Sequence, residues 1–222
     1  MIQRRALLRR ALLSGLGPGM AAAGLGLLAS SPAHAGAQVE EPLADAVRTA
    51  LSAAIAQRAA PPKLSFADAA EEQAYQRWLV LMDERLRKKK AETLVRHEFL
   101  QTLWYEARRA GLETALVLGL VQVESGFRKY AISSAGARGY MQVMPFWSRS
   151  IGDGDPARLF HMQTNLRFGC VILRHYLNVE KGDLFMALGR YNGSRGRSEY
   201  PDLVFGARRA WLMPEDAAKP AR

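Results

Sequence analysis

The chain of 222 residues is poor in the side chains that staple folds or hold metals. Its one cysteine, Cys170, excludes an internal disulfide and a thiolate zinc site. Cys170 lies in the apolar run Phe168-Gly169-Cys170-Val171-Ile172-Leu173, which reads as a buried, inert thiol rather than a nucleophile. The four histidines, His34, His97, His161 and His175, show no H-E-x-x-H or comparable spacing, so no metal is inferred. Asp153 and Asp155, in Gly152-Asp153-Gly154-Asp155-Pro156, lack the further ligands of a calcium loop and read as turn chemistry. No stretch alternates apolar with polar residues as a half-buried strand does, and no segment repeats. A mostly α chain is left, with room for one ordinary domain and an extension.

Acids are outnumbered: 31 Lys and Arg face 21 Asp and Glu, a formal charge of +10. Residues 1–35 carry four of those cations and no acid, so without them 27 cations face 21 acids, or +6. A basic surface suits nucleic acid, anionic lipid or an acidic polymer such as bacterial cell wall with its peptide carboxylates, and charge does not choose among them. No nucleic-acid-binding module is present, and Lys88-Lys89-Lys90 reads as the solvated end of a helix.

Residues 1–35 have the anatomy of a cleaved export signal. Arg4, Arg5, Arg9 and Arg10 precede a Leu/Ala/Gly run from Ala11 to Ala29, and Ala33-His34-Ala35 supplies an A-x-A cleavage site before Gly36. Gly15, Gly17, Pro18 and Gly19 argue against a retained membrane anchor, so no stable span is expected after cleavage. Adjacent arginines fit both the general secretory and the twin-arginine route. The expected destination is the periplasm.

In the remainder, 36–42 reads as a loose tether. Leu43, Val47, Leu51 and Ile55 predict a helix over 43–60 that Pro61-Pro62 ends. Ser65-Phe66-Ala67-Asp68 opens a second helix bearing Tyr75, Trp78, Leu79 and Met82, and these segments form an N-terminal helical extension over 36–92. A main domain is expected over 93–213. It starts with a helix from Thr93 to Ala110 (apolar face Leu94, Phe99, Leu100, Leu103, Trp104) and one from Glu113 to Val123. A loop over 133–139 and helices over 140–151, 165–179, 183–191 and 198–211 follow, the last broken by Pro201, with a frayed tail over 214–222.

The apolar run 115–123 ends at Glu124. A carboxylate there leaves water for an apolar wall, which raises its pKa towards that of a general acid. Around it stands Glu124-Ser125-Gly126-Phe127, then Ala131, Ser133, Gly136-Ala137-Arg138-Gly139-Tyr140-Met141-Gln142 and Met144-Pro145. These residues resemble the signature of soluble, goose-lysozyme-like lytic transglycosylases: E-S-x-F, A-x-S, G-A-x-G-L-M-Q and M-P. Downstream, Asn165-Leu166 with Gly169, Tyr176-Leu177 and Ala187-Leu188-Gly189-Arg190-Tyr191-Asn192-Gly193 resemble further segments of that family, so that roughly 95–200 is covered. Tyr140 replaces the usual Leu, and Trp147 stands near where a Thr usually follows the Pro.

The resemblance implies a lysozyme-like α-helical domain acting on peptidoglycan glycan strands. It implies Glu124 as the catalytic acid and then base, closing a 1,6-anhydro ring on muramic acid without water or cofactor. It assigns Ser133 and Gln142 to hydrogen bonds with the sugar, and Tyr140, Met141 and Met144 to the groove wall. Tyr191 is placed beside the acid, and Asn192 in its turn. Considered without the resemblance, each has a plainer role: a turn for Ser133, an exposed helix position for Gln142, core packing for the methionines. Trp147 fits either a sugar-stacking or a core position. A second carboxylate brought in by folding would make the chemistry hydrolytic, and a scaffold keeping only wall binding is a further alternative. Exo or endo cleavage, and work beside envelope-assembly or secretion machinery, stay open.

Overall fold

The computed structural model describes residues 38–56 and 64–217, all of it helix and connecting loop apart from isolated bridges at Ile132–Arg138 and Arg138–Val143. The expected export signal, the Pro61-Pro62 stop and the last five residues lie outside the described residues. Among the described residues no helix is long and apolar enough to cross a membrane. The helices are α1 (Asp45–Ala56), α2 (Ala69–Leu86), α3 (Thr93–Arg109), α4 (Thr114–Ser125), α5 (Pro145–Ile151), α6 (Met162–Val179), α7 (Leu184–Asn192), α8 (Glu199–Arg209) and α9 (Pro214–Ala217), with a 3-10 turn over Pro156–Phe160.

Local chemistry sets the boundaries. Asp68 caps α2 by accepting from the Glu71 backbone N–H (2.8 Å), while Glu71 reaches back to the Ala67 N–H (2.7 Å). Asp183 caps α7 in the same way through the Met186 N–H (3.0 Å). The helix expected over 140–151 starts only at Pro145. Met144, preceding the proline, is held extended, and Gln142 is left-handed at φ 47°. Pro201 does not break α8. It occupies the first turn, where a missing N–H costs no helical hydrogen bond. Leu94, expected on the apolar face of α3, is 78% exposed. It lies nine residues before the buried Leu103, two and a half turns at 3.6 residues per turn, and so points the opposite way.

The core is continuous from α2 to α8. Trp78 packs on Trp104 with ring centroids 4.8 Å apart, and Tyr75 meets the same ring edge-on at 5.2 Å. Buried Arg96 of α3 binds Asp83 of α2 through two nitrogens (2.6 and 3.0 Å) and donates to the Lys90 and Ala91 carbonyls. Lys90 is consequently no solvated helix end: it is half-buried, with its ammonium 2.8 Å from the Tyr140 hydroxyl. Residues 38–44 have no regular secondary structure, as a tether would, but Gln38 is only 5% exposed and is anchored to α5.

Candidate active site

Helix α4 is apolar on every side, which is the pattern of a helix sunk in a core. Its last turn carries Glu124 and Ser125, and Gly126 ends it in the left-handed conformation (φ 56°) that glycine adopts freely. Phe127 follows at φ 66°, a costly conformation for a bulky residue, and is fixed by edge contacts with Phe99 and Trp211.

Glu124 is 6% exposed. Its Oε1 accepts a hydrogen bond from the Tyr200 hydroxyl, and its Oε2 is buried with no partner. Burial pushes its pKa up to about 8, while the Tyr200 hydrogen bond works in the other direction. The carboxyl is therefore neutral at pH 7, and with Oε1 accepting from Tyr200, its acidic hydrogen belongs on Oε2. No neighbouring carboxylate figures among the causes of this shift. Glu113 sits at the other end of α4, eleven residues or ~16 Å away at 1.5 Å per residue, and pairs with Arg208 (2.6 Å). Asp153 pairs with Arg158, and Asp155 caps the 3-10 turn. Buried Glu106 is committed to Arg167 (2.8 Å).

Tyr200 reaches Glu124 because α8 lies antiparallel against α4. Arg208 meets Glu113, Val204 and Arg208 meet Gly119, and Tyr200 meets Glu124. At Gly119 a Cβ would stand 2.7 Å from the Arg208 nitrogen, so glycine is what allows the close approach.

The loop following Glu124 is tied down by residues of the signature. Ser125 Oγ donates to the Tyr140 carbonyl (2.7 Å), and the Tyr191 hydroxyl donates to the Met141 carbonyl (2.7 Å). Asn165 accepts from the Met141 N–H (2.7 Å) and donates to the Arg138 and Leu159 carbonyls (both 2.8 Å). The Met141 side chain rests on Gly169, where any Cβ would collide with it.

The expected site residues therefore divide. Glu124 and Tyr191 come together, close enough for the carboxyl to oppose ionisation of the phenol, but the Tyr191 hydroxyl serves the loop backbone rather than the carboxyl. Gln142 is buried, not an exposed helix residue, and its Nε2 donates to the Ala131 (3.1 Å) and Gly139 (2.9 Å) carbonyls. Ser133 is half-buried and its Oγ accepts from the Ala137 N–H (3.1 Å), closing a turn. Met144 is half-buried at the edge of the core. Asn192 Nδ2 donates to Ser194 Oγ (3.1 Å), in the turn after α7. Met141 and Tyr140 are corrected: both are core residues with no side-chain surface to offer a groove, and burial pushes the Tyr140 pKa up to about 12. Trp147 is also core, its indole meeting Tyr176 and His175 edge-on. Cys170 is fully buried, which raises its pKa. Tyr200 was missed, since nothing in the spacing of a tyrosine 76 residues downstream points to Glu124. Gly119 did carry a signal, as a glycine inside an apolar helical run.

These features define a helical domain built to keep one carboxyl neutral, with a single tyrosine as its partner. Residues 102–202 match the model of the Transglycosylase SLT domain family. Similar curated proteins include a membrane-bound lytic murein transglycosylase C from Actinobacillus pleuropneumoniae serotype 5b. It is 32% identical over 99 residues, covering 42% of this chain and 24% of that protein. The protein of that name from Haemophilus ducreyi is 35% identical over 91 residues, covering 38% and 22%. The chain thus spans about a quarter of the length of these relatives. Among solved structures, an inactive mutant of the lytic transglycosylase Slt from Pseudomonas aeruginosa aligns with a TM-score of 0.40 and 24% identity, covering 66% of this chain and 26% of that one.

Proposed function

We propose that the chain is a peptidoglycan lytic transglycosylase that cleaves the β-1,4 bond between N-acetylmuramic acid and N-acetylglucosamine without water. The observation that carries this reading is the state of Glu124: neutral at pH 7, one oxygen held by Tyr200, the other unpaired, and no second carboxylate among the described residues acting on it. Hydrolysis by the usual route needs two carboxylates, one of them to activate water or attack carbon. A single acid suffices if the substrate supplies its own nucleophile.

In that reaction the Oε2 proton passes to the bridging oxygen as its bond to the muramic anomeric carbon breaks. The muramic 6-hydroxyl oxygen bonds to the same carbon, and Glu124 takes the hydroxyl proton. The acid is thereby restored for the next turnover, and the product ends in a 1,6-anhydro ring. The nucleophile is already tethered, so little association entropy is lost. The substrate acetamido group supports positive charge at the anomeric carbon between the two steps. Tyr200 stabilises the carboxylate that exists between losing one proton and gaining the next. Ser133 and Met144 keep surface to meet a sugar, whereas Gln142, Tyr191 and Asn192 act through the backbone they hold. The arginine-led, A-x-A-ended leader supports export to the periplasm with cleavage before Gly36, by the general secretory or twin-arginine route. An envelope location agrees with the naming of the relatives as membrane-bound murein enzymes, and a task beside envelope-assembly or secretion machinery is compatible with it.

Mass spectrometry of fragments released from purified peptidoglycan tests the reading. Fragments lighter by one water than hydrolysis products are expected from the wild type, and none from Glu124→Gln. Reducing ends, or wild-type turnover by Glu124→Gln, would overturn it.

A further inference from the structure

The segment 38–44 crosses from α5 to α7 and places one side chain inside the domain. The Gln38 Oε1 accepts a hydrogen bond from the Trp147 indole N–H (2.7 Å). Its Nε2 is buried beside the Tyr191 hydroxyl, a contact that favours the ionised phenol but falls short of good hydrogen-bond geometry. The pocket adjoins the site already described, since Tyr191 binds the Met141 carbonyl and lies close enough to Glu124 for an ionised carboxyl to oppose ionisation of the phenol.

We propose that Gln38 is a built-in competitor, its side-chain carboxamide occupying a pocket between Trp147 and Tyr191 that also receives the acetamido group of an amino sugar. This rests on the reading of the domain as one that acts on an acetamido-sugar polymer. Three observations support it. The first is chemical identity: a carboxamide and an acetamido group both present a carbonyl acceptor next to an N–H donor, and the Trp147 N–H is met by the carbonyl. The second is imperfect fit. The Nε2 contact with Tyr191 is poorly formed, and the primary amide carries two N–H bonds where an acetamido nitrogen has one, its other position taken by sugar carbon.

The third is weak attachment. Val39 to Pro42 are exposed, and among the described residues no backbone hydrogen bond ties 38–43 to the domain. Leu43 anchors its far end, packed on the core with its carbonyl accepting from Arg48 (3.2 Å), and between Gln38 and Leu43 the segment is held by the Glu41–Arg190 ion pair (2.6 Å) and a long contact from Ser150 to Glu40 (3.4 Å). Ion pairs with a solvent-exposed partner contribute little. A ligand offering the same carbonyl, without the poorly met donor, can displace such a plug.

The test is a titration of the full chain with the tetramer of N-acetylglucosamine, followed through the Trp147 indole N–H resonance. Gln38→Ala and Glu41→Ala are titrated alongside, with the glucose tetramer, which has no acetamido groups, as control. Gln38→Ala is expected to bind the acetamido tetramer about 3- to 10-fold more tightly than wild type, a factor of ten corresponding to 1.4 kcal/mol. Glu41→Ala should move the same way by less, the Trp147 resonance should shift on binding, and the glucose tetramer should gain nothing. Equal or weaker binding by both variants, or a Trp147 resonance indifferent to sugar, would overturn the proposal and make the segment a structural clasp. If Gln38→Ala fails to fold, Glu41→Ala decides alone. Binding is read without turnover, so failure to form anhydro products would refute the proposed reaction and leave this result standing.

Discussion

A carboxyl that keeps its proton at pH 7 is unstable company for a folded chain as pH rises. Glu124 has a folded-state pKa of about 8 against an ordinary value of 4.5. Between those values the folded state holds a proton that the unfolded state has shed, so this group's contribution to stability is present below pH 4.5 and is lost as pH climbs through 8. At 1.36 kcal/mol per pKa unit the loss is on the order of 5 kcal/mol. Glu124→Gln keeps the shape of the neutral acid and removes the titration. Its melting temperature is expected to match wild type near pH 5 and to exceed it at pH 9 by on the order of 10 °C, at about 2–4 °C per kcal/mol. A constant difference across that range, measured by calorimetry, would contradict the assigned burial. The sign for Tyr200 is opposite, because its hydrogen bond favours the carboxylate. Tyr200→Phe is expected to move the alkaline limb of the pH–rate profile above its wild-type position and to lower the maximal rate by about 10- to 100-fold, the equivalent of about 1.5–3 kcal/mol for a hydrogen bond to a charged group. An unchanged limb would remove Tyr200 from the chemistry.

At the scale of elements, the decisive contact is the close approach of α8 to α4. Gly119→Ala puts a methyl group against the backbone of Val204 and Arg208 and must push the helices apart. The expectation is lost activity exceeding lost stability: about 1–3 kcal/mol in unfolding free energy, as for other overpacked cores, with a Tyr200 hydroxyl no longer seated on Glu124. Denaturant melts and turnover measured on one preparation separate the two effects. Much at this scale was legible in the sequence. The apolar run ending in an acid announced α4 and the burial of Glu124, and Asp68 and Asp183 announced the starts of their helices. Long-range register was not legible, because local pattern says which face of a helix is apolar and not which residue of another helix lies across from it. For that reason Tyr200, Gln38 and the Asn165 hub came only from the structure. The matched residues around 138–144 were visible as a motif, but their work proved to be largely the positioning of backbone.

At the scale of the whole molecule, residues 64–92 and the helices that follow share one core. Tyr75, Trp78, Met82 and Leu86 are buried against α3 and its neighbours. At about 1.5–3 kcal/mol for each large apolar side chain, these four contribute about 6–12 kcal/mol, comparable to the net stability of a typical domain. A fragment of residues 93–222 is therefore expected to lack a cooperative thermal transition and a near-ultraviolet dichroism signal. A sharp transition from that fragment would make the earlier helices dispensable.

The single thiol, sealed on α6 within this core, turns the protein into its own stopwatch. Reagents in solution reach Cys170 only when the helices around it part. The pace at which a thiol label accumulates in native protein therefore counts those openings, with no engineered probe and no second cysteine to confuse the tally.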